Sequence, residues 1–273
     1  VTSAVTRRVE QLETALGTRL LQRSTRGLKL TTSAEALLPK FSRIVAEVDD
    51  LLRNSSRQDG IDGLLRVKSP TTVTSEFIGA LIVEFMRQHP GVHVDVTLVD
   101  YSVNPLEQGF DVALGAMPVS YRDVLDIPLW RYDVVACCSP DYLRDRAPPR
   151  HPSELVEHVC LTTNLFRGGW LFESGAGSVD IDVHSRIHVS DGRVVREAAR
   201  RGLGIAALAR YLAEDDLREG RLVPVLEDFP LVTHWLKALV PRGSLARPAV
   251  QAFVEFLKAQ LREGPKKPLN LTG

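Results

Sequence analysis

The sequence predicts an α/β fold, and three observations lead there. Short apolar or alternating runs recur over residues 64–67, 92–98, 111–115, 132–138, 159–163, 187–190, 204–208 and 235–240, the pattern of β-strands. Between and after them lie helical faces, clearest at Phe77, Ile78, Leu81, Ile82 and Phe85 and at Val250, Phe253, Val254, Leu257 and Leu261. The two patterns interleave along the chain, which predicts mostly parallel sheets whose strand ends carry the ligand-binding loops.

The bulk properties agree. The chain has 273 residues, 44% of them apolar and 25% charged. That length suggests about two domains with a sizeable core. No apolar run is long enough to cross a membrane, and none near the start resembles a secretory signal, so a cytoplasmic protein is expected. Cys137, Cys138 and Cys160 form no C-x-x-C pair and read as small buried apolar side chains. The balanced charge hides an asymmetry. Residues 1–30 carry Arg7, Arg8, Arg19, Arg23, Arg26 and Lys29 against Glu10 and Glu13, which suggests a nucleic-acid-facing end.

Val5, Val9, Leu12 and Leu16 recur on one helix face, and Gly17 follows where a helix cap belongs. Because the chain opens inside this pattern, it is expected to start within a domain or at a misassigned start codon. Two short apolar strands near Leu20 and Leu28 flank the basic turn at 23–27, which predicts a hairpin with a cationic tip. Thr32 and Glu35 have capping-box spacing and start a second helix. Its Leu37, Phe41, Ile44, Val48 and Leu51 follow a heptad, a seam for a partner helix or for the helix's own domain. Pro39 lies within that helix and is expected to kink it. Residues 54–63 are polar with two glycines and read as a linker. The last helix ends near Gly264 and Pro265.

Several motifs resolve to ordinary roles. Gly202 to Ala207 fits G-x-G-x-x-A, but the order helix, glycines, strand is the reverse of a dinucleotide site. It reads as a helix cap feeding a buried strand. Asp182, His184 and His188 share a strand face without further ligands nearby, so neither metal nor cofactor is expected. No nucleophile elbow or P-loop occurs, which gives no reason to expect an enzyme or catalytic residues. Ser69, Pro70, Thr71 and Thr72 lie between a strand and a helix. Hydroxyls and free N–H groups there suit a carboxylate, with plain turn chemistry as the alternative.

Taken together, the first 40 residues resemble the LysR-type transcriptional regulators. The stretch from Ser3 to Glu13 looks like that family's recognition helix. Leu16-Gly17-Thr18-Arg19-Leu20-Leu21-Gln22-Arg23 continues its LG-x-x-L-F-x-R run, and Leu28 to Thr31 matches the return strand of its wing. Phe85 to Val92, Gly109 to Leu114, Ser139 to Leu143 and Gly202 to Ala206 extend the likeness through the effector domain. The resemblance implies a partial winged helix-turn-helix over 1–31, a dimerising linker helix over 32–58 and an effector-binding domain over 63–264. That domain would resemble a two-subdomain periplasmic binding protein, with subdomain I at 63–131 and 238–264 and subdomain II at 132–237. The family has two more helices before the position of Val1. It usually has Ala-Gly where this chain has Ser33-Ala34. Many members place an Arg just after Leu114, where this chain reads Gly115-Ala116-Met117.

The resemblance implies double-stranded DNA as one partner, met by Ser3, Thr6 and Arg7 in the major groove and by Arg23, Ser24, Thr25 and Arg26 at the wing. Arg7 and Arg8 diverge on a helix and cannot both face DNA. It implies dimerisation through Leu37, Phe41, Ile44, Val48 and Leu51, giving a homodimer or homotetramer. A small-molecule effector would lie between the subdomains, at Ser69, Thr71, Thr72, Gly115, Ala116, Asn164 and Ser190. The alternative is a solute-binding protein without DNA-binding activity.

Overall fold

The computed structural model describes residues 2–24, 27–54, 61–116, 118–166, 169–175 and 177–264. Helix α1 (Thr2–Leu16) ends at Gly17, whose φ of +64° is the left-handed conformation that closes a helix. Strands β1 (Leu21–Ser24) and β2 (Gly27–Leu30) pair antiparallel, as the hairpin reading expects. The tip residues Thr25 and Arg26 lie outside the described residues. The carboxylate of Glu13 accepts the N–H groups of Leu20 (2.6 Å) and Leu21 (3.0 Å) and so docks the hairpin on α1. Helix α2 (Thr32–Asn54) is continuous through Pro39. Its cap is Thr31, one residue earlier than the capping-box spacing indicates. The Thr31 hydroxyl accepts from the Ala34 N–H and donates to the Arg19 carbonyl, joining helix start to hairpin.

The remaining elements form two five-stranded sheets. The first contains β3 (Asp62–Ser69), β4 (Gly91–Leu98), β5 (Val112–Gly115), β6 (Val124–Tyr132) and β14 (His234–Pro241). The second contains β7 (Val134–Cys138), β8 (Cys160–Thr163), β11 (Ser185–Val189), β12 (Ile205–Ala209) and β13 (Val223–Pro224). A hairpin of β9 (Trp170–Ser174) and β10 (Gly177–Ile181) stands beside them. Both sheets are mixed, which corrects the expectation of mostly parallel sheets. β3 pairs parallel with β4 and β5, whereas β14 runs antiparallel to β5 and β6. β12 is parallel to β8 and antiparallel to β7. The antiparallel strands enter each sheet where the chain passes between the two, at Asp133 and again before His234.

Helices cover the sheets. α3 (Thr71–Val73) runs through a π-helical turn (Thr74–Ile78) into α4 (Gly79–Gln88). This π turn, which the helical periodicity does not betray, sits at the sheet's ligand end, where such turns are frequent. α5 (Pro105–Gln108) is one turn before β5. α8 (Pro248–Leu261) packs beside α4, with Phe85 and Phe253 edge to face at 5.1 Å. α6 (Gly192–Arg200) and α7 (Arg210–Arg218) cover the second sheet, burying Val195, Ala199, Leu212 and Ala213 against Cys137, Leu161, Ala206 and Leu208. Gly202, at φ +72°, caps α6 and feeds β12, the reading given to the G-x-G-x-x-A run. All three cysteines are buried free thiols, and burial pushes Cys138 and Cys160 up to about 12.

Three further corrections concern extent. The strand expected over 132–138 is two strands broken at Asp133, whose carbonyl accepts from Arg210. Strand β6, the β9–β10 hairpin and α7 carry no clear sequence period. β3 begins at Asp62, inside the expected linker.

Candidate functional site

A cleft of about 130 Å³ opens between the two sheets. Its first wall comes from the carboxyl ends of β3 and β5, the loop after β4 and the end of β6, contributing Lys68, Thr72, Asp100, Gly115, Ala116 and Tyr132. Its second wall comes from the loops after β8 and β11 and from α7, contributing Asn164, Phe166, Ser190 and Tyr211. Five of the seven sequence candidates therefore line one cavity: Thr72, Gly115, Ala116, Asn164 and Ser190.

Ser69 and Thr71 do not line it. Ser69 is fully buried, and its hydroxyl accepts from the Thr74 hydroxyl at 2.5 Å. Thr71 gives its N–H to Asp100 Oδ1 (2.7 Å) and its hydroxyl to Asp100 Oδ2 (2.6 Å). The carboxylate expected at this helix start is thus the chain's own Asp100.

Two side chains bridge the cleft. The Thr72 hydroxyl donates to Asp191 Oδ1 (3.0 Å) and accepts from the Gly192 N–H (2.8 Å). Asp191 in turn caps α6 and pairs with Arg193 at 2.7 Å. The Arg193 guanidinium is the main reason its carboxyl sits below the usual range. Asn164 Nδ2 donates to the Asp100 carbonyl (3.1 Å), while its Oδ1 meets His188 Nε2 (2.8 Å). His188 also approaches Thr162, so its ring serves the cleft wall.

Sequence reasoning missed Lys68, Asp100, Tyr132 and Tyr211. Lys68 is only 3% exposed, and its ammonium donates to the Leu114 carbonyl at 3.1 Å. Burial lowers its pKa to about 8, against the opposing pull of the Asp100 charge. Arg66 and Lys68 alternate with Val67 in β3 as a solvent-facing pair would, so the sequence carries no signal that marks Lys68 as buried. Tyr132 and Tyr211 pack at 5.7 Å, and burial raises both phenols.

At the other end of the molecule, Thr6, Arg7 and Arg8 are exposed on α1. The side chains of Ser3, Arg23 and Ser24 lie outside the described residues. On α2, Leu37 and Phe41 are half-buried, Ile44 and Val48 are exposed, and the Leu51 side chain lies outside the described residues.

Residues 58–262 match the family model for the LysR substrate binding domain. Residues 1–35 match that for the bacterial regulatory helix-turn-helix protein, lysR family. The chain belongs to the LysR family. This LysR regulator is 29% identical over 274 residues to the uncharacterized HTH-type transcriptional regulator YhjC of Escherichia coli K12, spanning 95% of this chain and 89% of that protein. It is likewise 29% identical over 269 residues to the HTH-type transcriptional regulator CrgA of Neisseria meningitidis, spanning 95% and 88%. Its fold matches the full-length structure of the Vibrio cholerae virulence activator AphB with a TM-score of 0.68, at 24% identity over 95% of this chain and 90% of that one. It is a DNA-binding transcriptional regulator with a helix-turn-helix segment and an effector-binding domain, which sets aside the solute-binding alternative. LysR regulators bind DNA and effectors and are oligomeric. Among the described residues no helix is long and apolar enough to cross a membrane.

Proposed function

We propose that the regulator takes its small-molecule effector in the cleft between the two sheets, with Thr72, Gly115, Ala116, Asn164 and Ser190 in contact and Ser69 and Thr71 holding the strand end in shape. The observation that carries this reading is the Thr72 bridge to Asp191 and Gly192. The hydroxyl that lines the cavity also ties its walls together, so a ligand that competes for it changes their relative position. Such a ligand acts by its differential affinity for the two arrangements. The domain division is 1–31 as DNA-binding segment, 32–58 as linker helix and 63–264 as effector domain; its halves part where the chain crosses between the sheets, at Asp133 and before His234, one residue later and four residues earlier than the expected division into 63–131 plus 238–264 and 132–237.

On the DNA side, Ser3, Thr6 and Arg7 read the major groove, while Arg23, Ser24, Thr25 and Arg26 meet backbone or minor groove. Leu37, Phe41, Ile44, Val48 and Leu51 join two copies, and two dimers associate through effector domains where a tetramer forms. The regulator is a cytoplasmic non-enzyme. Binding to the DNA upstream of its own gene, against scrambled DNA across a salt series, tests the reading. Salt-sensitive preference for the upstream DNA is expected. Binding without preference at every salt concentration overturns the assignment of α1 as reader.

A further inference from the structure

We infer that the effector is a small organic acid and that Lys68 binds its carboxylate. This rests on the proposal that the cleft is the effector site. Lys68 lines the cavity yet is almost wholly shielded, and an ammonium has three N–H donors. One donor meets the Leu114 carbonyl, and the other two have no acceptor among the described residues. Asp100 does not answer them: its carboxylate is turned to the Thr71 N–H and hydroxyl, and it forms no hydrogen bond or ion pair with Lys68 among the described residues. The same bonds remove the helix start as a rival seat for an anion. A buried cation with unspent donors is costly unless it is paired, and a ligand carboxylate supplies the pairing. Lys68 gives the cleft a cation that Gly115 and Ala116 do not.

The rest of the cavity sets the body of the acid. Tyr132, Tyr211, Phe166 and Leu236 wall it, and neither phenol hydroxyl has a hydrogen-bond partner among the described residues. An apolar cavity of roughly 150 Å³ holds a benzene ring. The 130 Å³ here suits a body of one ring or a short branched chain.

The test is calorimetric binding of three acids, each against its primary amide: benzoate, cyclohexanecarboxylate and isovalerate. At least one acid is expected to bind about tenfold to a hundredfold tighter than its amide, the range for a hydrogen bond to a charged group. Lysine carries its charge below its pKa, so the acid's affinity falls as pH rises through about 8 while the amide's does not. Other charged or titratable groups face the cleft: Asp100, Tyr132 and Tyr211 in its walls, Asp191 and Arg193 at Thr72, His188 at Asn164, and Glu76, whose charge reaches Tyr211 and Arg193. Lys68→Met separates them from Lys68, since it should abolish both the acid preference and the pH step while retained amide binding certifies the fold. Tyr211→Phe is a second variant, expected to weaken the acid several-fold. Gly115→Leu locates the site, because a side chain there enters open space.

Amides that bind as well as acids, with Gly115→Leu blocking both, overturn the Lys68 assignment and leave the cleft proposal standing. Acid binding that survives both Lys68→Met and Gly115→Leu overturns the cleft as well. No binding by any acid at millimolar concentration overturns the inference.

Discussion

The amino-terminal segment through α2 and the two-sheet body treat their apolar side chains in opposite ways. In the body, Leu65, Val67, Phe85, Val250 and Phe253 are fully buried. In the first 54 residues, Val5 is 59% exposed, Ile44 52% and Val45 59%, although their helical spacing is as regular. Regular spacing thus says that a face is apolar, and burial depends on what lies against it. The body supplies its own covering. On α2, Ile44, Val45 and Val48 stand exposed, which is the condition that the proposed seam for a second copy requires.

The largest test of that contrast is truncation in each region. Phe253→Ala should cost about 3–5 kcal/mol of unfolding free energy, because it leaves a cavity against Phe85 and Phe256. Val48→Ala should change the stability of the isolated subunit by under about 0.5 kcal/mol. Urea unfolding at subunit concentrations below self-association compares the two, and equal losses would break the contrast.

Charge sharpens it next. Asp216 is 3% exposed and is met by Arg221 (2.5 Å) and Arg200 (3.3 Å). Asp216→Ala should cost roughly 2–4 kcal/mol, the lower part of the buried range because its arginines are half in water. Glu255→Ala, which breaks an exposed pair with Lys258, should be nearly silent in the same melts.

Third, Ile44→Asp should leave the unfolding midpoint of the body unchanged and weaken self-association at least about tenfold, or 1.4 kcal/mol, in sedimentation equilibrium. An unchanged dimer would remove the seam from the interface. Fourth, Arg7→Ala should erase about 1–3 kcal/mol of discrimination between cognate and scrambled DNA, whereas Arg26→Ala should weaken both alike. Competition binding reads this, and a uniform loss for both variants would reassign Arg7 to the phosphate backbone.

The smallest effect is local. The N–H groups of Leu21 and Leu20 hold the Glu13 carboxyl below its ordinary value. Its folded-state value is the lower one, so its contribution is present above the usual carboxylate range and is lost as pH falls through the depressed value. The amide resonances of Leu20 and Leu21 should report that loss in an acid titration, and Glu13→Gln should flatten it.

Particular elements explain what could be read beforehand. Strand β4 was legible because Val92, Val94, Val96 and Leu98 alternate. Helix α7 was not, since its inward face includes Asp216, a residue that breaks the apolar period but is satisfied by Arg221 just beyond the helix and by Arg200 of α6. Strand β6 carries Asp126 and Pro128, which read as turn chemistry until β14 pairs with them across a register shift. In the cleft, Thr72, Asn164 and Ser190 were legible as hydroxyl or amide groups at strand ends. Tyr132 reads as core, and Lys68 as a solvent-facing strand residue.

The α/β class, the hairpin and the family could be read from the sequence, because they rest on local period and on motifs that span a few residues. Tertiary structure alone decided the strand directions and the company kept in the cleft. Lys68, Asp100, Tyr132 and Tyr211 come from well-separated parts of the chain, and Thr72 meets Asp191 across 119 positions. Periodicity records which side of an element avoids water, and carries no information about which distant side chain will stand opposite. That choice is made when the two sheets close on one another, and it turns a buried lysine into the cleft's unspent cation.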